Sequence, residues 1–178
     1  MPRNHDHTFT LTHLMILAGL MVMLSACSHR EYVHVGQNWE ILYNLPSGKG
    51  VSVDVSMPTD AFRMGEEMLL TVTSDTTGRF FLLNVGPDDQ VQMLFPNEMS
   101  DDNRISAESP RRLPPKGSAW KMVAAPPAGL HLVVALVIPN PDDDDITALE
   151  SENPLRIKRL LPELSRYGIA RKVFDITK

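Results

Sequence analysis

Arg79-Phe80-Phe81-Leu82-Leu83-Asn84-Val85, the turn Gly86-Pro87-Asp88-Asp89, and Val91-Gln92-Met93-Leu94-Phe95 ahead of Pro96 decide how this chain folds. Phenylalanine and valine suit a pleated surface, and the turn sends the chain back into a second run of the same kind. Pro96 ends that run, because proline has no N–H to give to a ladder. Upstream, Met68-Leu69-Leu70-Thr71-Val72-Thr73 leads through Ser74-Asp75-Thr76-Thr77-Gly78 into Arg79. This is the strongest hairpin signal in the chain, and with it the spacing predicts a three-stranded antiparallel meander. Alternation puts Phe81, Leu83 and Val85 on one face of the middle strand and Phe80, Leu82 and Asn84 on the other. Asn84 marks its own face as the one that reaches solvent, so Phe81 is expected between the sheets and Phe80 in a less buried place.

Further out, Val51, Val53 and Val55 alternate with Ser52, Asp54 and Ser56 as a half-buried strand does. Trp39, Ile41 and Tyr43 alternate in the same way and suggest one short strand within a tether over 27–50, broken by Pro46-Ser47-Gly48-Lys49-Gly50. The segment 97–117 is polar and holds Pro110, Pro114 and Pro115, which predicts an ordered crossover loop. Strands are expected over 120–124 and, as a nearly continuous apolar run in mid-core, over 130–138. Asn153-Pro154 has the form of a helix N-cap with proline in the first turn, and Leu155, Leu160, Leu161 and Leu164 can share a helix face. Gly168 closes that helix and a last strand follows over 169–176. Many short strands and one late helix predict a mainly β fold: an antiparallel β-sandwich, immunoglobulin-like, with a short C-terminal helical element. The sandwich domain is expected over 51–178.

The N-terminal quarter is of another kind. Leu14 to Leu24 is an uncharged apolar run of 11 residues, whereas a helix needs about 20 to cross a bilayer. Such a run suits the h-region of a signal peptide. Leu24-Ser25-Ala26-Cys27 follows and resembles the lipobox of bacterial lipoproteins at all four positions. The resemblance implies a signal peptide over 1–26, removal before Cys27, and lipidation of the Cys27 thiol. Arg3 is offset by Asp6, so the leading segment is less positive than usual. Ser28 after the cysteine favours the outer membrane by resemblance to the sorting of such proteins. Cys27 is the chain's one cysteine, so no intramolecular disulfide helps the domain. Its stability rests on its core.

Met64-Gly65-Glu66, the run Gly78-Arg79-Phe80-Phe81-Leu82-Leu83-Asn84-Val85, and Leu94-Phe95-Pro96-Asn97 with Asp102-Asn103-Arg104-Ile105 resemble the domain-of-unknown-function 4384 family. Pro114 and the strand after Pro127-Ala128-Gly129 keep its order, so the resemblance covers 51–138. Phe80 stands where a tyrosine is commoner, and Asp89-Gln90 where an aspartate-glycine turn is usual. The family implies an extracytoplasmic or appended β domain in bacteria with no established activity. Physically, Phe95 buries its ring at a strand end while Asn97 and Asn103 bind loop backbone.

Chemistry is sparse. The chain carries a formal charge of −5, which speaks against nucleic acid, since neutralising phosphates takes a basic face. After Cys27 the histidines are His29, His34 and His131, with no Gly-x-Ser-x-Gly and no His-Glu-x-x-His; His131, opening a core strand, reads as structural. Glu98, Asp101, Asp102 and Asn103, or Asp142 to Asp145, could hold calcium through their oxygens, but neither has the alternating spacing of a calcium loop. Met57, Met64, Met68, Met93, Met99 and Met122 suit core filling better than soft metal binding. Arg156, Lys158, Arg159, Arg166, Arg171 and Lys172 form a basic C-terminal segment, by default a solvated face, otherwise a contact for anionic lipid headgroups, peptidoglycan or an acidic partner. The expected function is a lipid-anchored envelope module without enzymatic activity or cofactor, facing the periplasm and binding another envelope protein, accessory to a secretion or surface assembly. A module for an ion, glycan or peptidoglycan is the alternative.

Overall fold

The computed structural model describes residues 35–178, which form a compact unit, Val35–Lys178. The leader, the lipobox with Cys27, and His29 and His34 lie outside the described residues. In chain order the elements are α1 (Gln37–Tyr43), β1 (Val53–Ser56), β2 (Ala61–Arg63), β3 (Glu67–Met68), β4 (Leu70–Ser74), β5 (Gly78–Val85), β6 (Val91–Phe95), β7 (Arg104–Ile105), β8 (Arg111–Leu113), β9 (Met122–Val123), β10 (Gly129–Ile138), α2 (Asp143–Glu150), α3 (Pro154–Leu160) and β11 (Gly168–Thr177).

Two sheets of unequal size make an open β-sandwich. The larger runs β2-β11-β10-β5-β6 with β7 also on β5, the smaller β1-β4-β8, and β3 pairs with β9 as a separate ribbon. All pairings are antiparallel except β2 with β11, which is parallel. β10 is central because it is apolar on both faces: from His131 to Ile138 every residue is buried. One face of the large sheet packs on the small one through Phe80, Leu82, Val133, Ala135 and Val137 against Val55, Leu70, Val72 and Leu113. The other is roofed by helices, with Phe81, Leu83, Val85, Val134 and Leu136 beneath Trp39, Leu42, Leu149, Ile157 and Leu161. Among the described residues, both cores are assembled from residues after Val35, and a chain that starts at Ser28 keeps all of these.

Several sequence expectations change. Residues 37–43 form a helix, not a strand, and belong to the folded unit, not to a tether: Trp39 and Leu42 are buried three positions apart while Tyr43 is 53% exposed, so the operative period is 3.6. The expected β4–β5 hairpin is a corner between sheets. β4 pairs with β1 and β8, and β5 with β10, β6 and β7. Burial explains the split, since β4 alternates Leu70, Val72, Ser74 inward while β5 is buried on both faces. The corner residue Asp75 bonds Ser52 ahead of β1: its N–H donates to the Ser52 carbonyl at 3.1 Å, and its Oδ1 accepts from the Ser52 N–H at 3.0 Å.

Phe81 lies under the helices, and Phe80 is the residue between the sheets; both are fully buried. The segment 97–117 contains β7 and β8, and the expected strand over 120–124 shortens to β9. Two later expectations hold. Asn153 caps α3 with its Oδ1 accepting from the N–H of Leu155 at 3.0 Å and Arg156 at 3.3 Å, and β11 closes the sheet. Within α3, Leu155 is 46% exposed and Ile157 takes the buried position expected of it.

Candidate functional site

The small sheet does not cover the whole inner face of the large one. At the uncovered end stand Asn84 of β5, Gln92 and Leu94 of β6, His131 of β10, and Phe174 of β11. Opposite them are Met68 and Met122 of the β3–β9 ribbon, and a cleft of about 90 Å³ lies between. That space suits one side chain, well below the roughly 300–1,000 Å³ of an ordinary small-molecule site.

Besides Gln92, two polar side chains with acceptor atoms, His131 and Asn84, sit among the apolar residues of this lining. His131 Nε2 is 3.0 Å from the Pro127 carbonyl oxygen. A carbonyl only accepts, so Nε2 carries the proton, and in the neutral ring Nδ1 is left as an acceptor. The ring also stacks on Phe174, centroids 5.3 Å apart. Asn84 Oδ1 is buried without a hydrogen-bond partner among the described residues, a condition that costs roughly 1–3 kcal/mol until a donor arrives. His131 is the one titratable residue of the lining.

A second, shallower depression of about 320 Å³ is lined by Arg79, Arg104 and Asn140. Arg79 Nη1 donates to Asn103 Oδ1 at 2.7 Å, leaving Arg104 exposed.

The charged runs are largely absorbed by the fold. Asp142 and Asp145 form a capping box on α2, Asp142 Oδ1 accepting from the Asp145 N–H at 2.8 Å and Asp145 Oδ2 from the Asp142 N–H at 3.2 Å. Asp102 Oδ1 accepts from the Arg104 N–H at 3.3 Å, and Asn103 is buried. Asn97 binds loop backbone as expected, donating to the Leu94 carbonyl at 2.8 Å. Among the described residues no three His, Cys, Asp or Glu side chains gather where a metal could sit.

In the basic segment, Arg166 Nη2 donates to the Gly50 carbonyl at 2.8 Å, Arg171 binds the carbonyls of Leu42 and Leu45 at the end of α1, and Lys172 pairs with Asp60. Burial pushes the Arg171 guanidinium down from its ordinary range, opposed by Tyr43 and Tyr167. Arg156, Lys158 and Arg159 remain exposed on α3. Of the methionines, Met68 is buried and Met57, Met93 and Met122 pack against the cores, whereas Met64 and Met99 are exposed.

Sequence reasoning placed Asn84 toward solvent and so missed the cleft. The available signal was a lone amide on a strand otherwise apolar on both faces. Asp89 stands in the sequence only as a turn residue and Glu152 does not stand out at all, because their partners lie fifty or more residues away.

Residues 61–141 match the family described as "Domain of unknown function (DUF4384)", in agreement with the resemblance read from the sequence. No curated protein matches the chain. Among solved structures it is similar to Spo0M, a sporulation control protein from Bacillus subtilis, at 11% identity and a TM-score of 0.39, over 72% of this chain and 49% of that one. The chain thus spans about half the length of that protein.

Proposed function

We propose that this chain, with its DUF4384 segment at 61–141, is a lipid-anchored envelope protein. It is held on Cys27, on the periplasmic side of the outer membrane, and docks another protein without catalysing a reaction. The cleft carries this reading: it has room for one side chain, a lining in which Met68, Leu94 and Phe174 are apolar, and a buried acceptor at Asn84 that lacks a donor among the described residues. A partner side chain that is apolar along its length and ends in an O–H or N–H satisfies all three. Ser25-Ala26-Cys27 supports the anchor, because a small-residue boundary before the cysteine is what lipoprotein processing requires.

A photo-crosslinking residue in place of Val123, at the mouth of the cleft, tests the docking in intact cells. A discrete protein adduct that disappears when Asn84→Leu fills and caps the cleft is the expected result. Adducts only to glycan strands would instead support the peptidoglycan-binding alternative.

A further inference from the structure

Among the described residues, β6 ends the large sheet and is paired with β5 on one side only. Such an edge presents free N–H and C=O groups, and proteins usually guard it with lysine, proline or a bulge. The five residues Val91-Gln92-Met93-Leu94-Phe95 contain neither lysine nor proline and no charge. A register shift between Leu82 and Leu83 gives the edge a bulge at Leu94, but Val91 to Met93 pair regularly with β5.

One side chain covers this stretch. Glu152, in the α2–α3 connection, accepts the Met93 N–H through Oε1 at 2.6 Å. It does so from a left-handed backbone, φ 53°, which is uncommon for a residue that is neither glycine nor asparagine. The strain and the bond go together: the backbone is held where the carboxylate reaches the edge.

We propose that the β6 edge is a pairing edge for a second copy of this chain, and that Glu152 holds it shut. Because the Met93 N–H points outward, the Val91 groups do too, two positions away. A two-fold axis through Gln92 then sets Val91 against Met93 of the other copy, and Gln92 against Gln92. Apolar meets apolar, amide meets amide, and no like charges oppose each other, so the edge is complementary to itself. The pairing becomes available when Glu152 leaves the Met93 N–H.

Sedimentation of the soluble form 28–178 tests this. The wild type is expected to be monomeric, and Glu152→Gly, which suits the left-handed backbone and removes the carboxylate, to tighten self-association at least about tenfold. Glu152→Asn, also at ease there, gives the same answer if the glycine variant folds poorly. In either background Gln92→Lys and Gln92→Glu should each abolish the dimer, since like charges then face across the axis, and an equimolar mixture should restore it as a heterodimer. Monomers at every concentration after Glu152 is replaced, a wild-type dimer that the replacement leaves unchanged, or association indifferent to charge at position 92 would each overturn the proposal.

Discussion

Asp89 joins two elements that the chain separates by fifty residues. Its carboxylate accepts the N–H groups of Asn38 at 3.0 Å and Trp39 at 2.9 Å, capping α1 from outside because Gly36 at the N-cap has no side chain to do so. A Cβ on Gly36 would stand 2.0 Å from Asp89 Cγ, so the glycine is required by the carboxylate. Asp89→Ala is expected to cost about 1 kcal/mol and to speed hydrogen exchange at Asn38 and Trp39. Gly36→Ala displaces the same carboxylate, so the double variant should lose clearly less than the two single losses together in a melting experiment.

Asp75 offers a pH-dependent counterpart at the same scale. The Ser52 N–H above all, then the Thr76 hydroxyl and Arg166, hold its carboxyl below the ordinary 3.8. A carboxyl depressed by folding stabilises the native state above its unfolded value, and that contribution disappears as pH falls through the folded one. Asp75→Asn should therefore melt lower than wild type at neutral pH and converge with it in acid; a gap that persists in acid would place the effect elsewhere.

At the level of elements, β5 decides the architecture and shows what a sequence can and cannot reveal. Its existence, its hairpin with β6 and the core strand β10 are legible because long apolar runs bounded by turn residues have few alternatives. Whether β4 is the other neighbour of β5 is not legible, since Ser74 to Gly78 suits a tight hairpin and a corner between sheets equally well. The choice is made by burial on both faces, a tertiary property. Alternation in α1 misled for a related reason: three positions of 39, 41 and 43 fit a strand, and only the roof over Phe81, Leu83 and Val85 selects the helix that buries Trp39 and Leu42. Because β5 is covered on both sides, Phe80→Ala and Phe81→Ala should each cost about 3–5 kcal/mol. Phe80 loses its stack on Phe95, centroids 5.3 Å apart, and Phe81 its place beneath the helices. Thermal melts showing one of them nearly neutral would mean that its face is open.

For the molecule as a whole, the length of chain between the anchor proposed on Cys27 and the fold sets an upper bound. Val35, where the compact unit begins, follows Cys27 by eight positions, and eight extended residues reach at most roughly 28 Å. The acyl group proposed on Cys27 would therefore be tied to the folded unit by no more than that length of chain. One acyl chain binds reversibly, and two or three, at about 0.8 kcal/mol per buried CH₂, anchor stably. Cys27→Ser removes the only thiol, so the precursor should remain uncleaved by the lipoprotein peptidase and carry no acyl mass. The form 28–178 keeps both cores and should leave the membrane fraction while melting as a folded domain. Mass spectrometry of the membrane-extracted wild type decides the matter: an unmodified Cys27 would defeat the anchor, whereas a form 28–178 that stays with membranes would transfer the hold to the folded unit, whose exposed Arg156, Lys158 and Arg159 then become the first residues to neutralise.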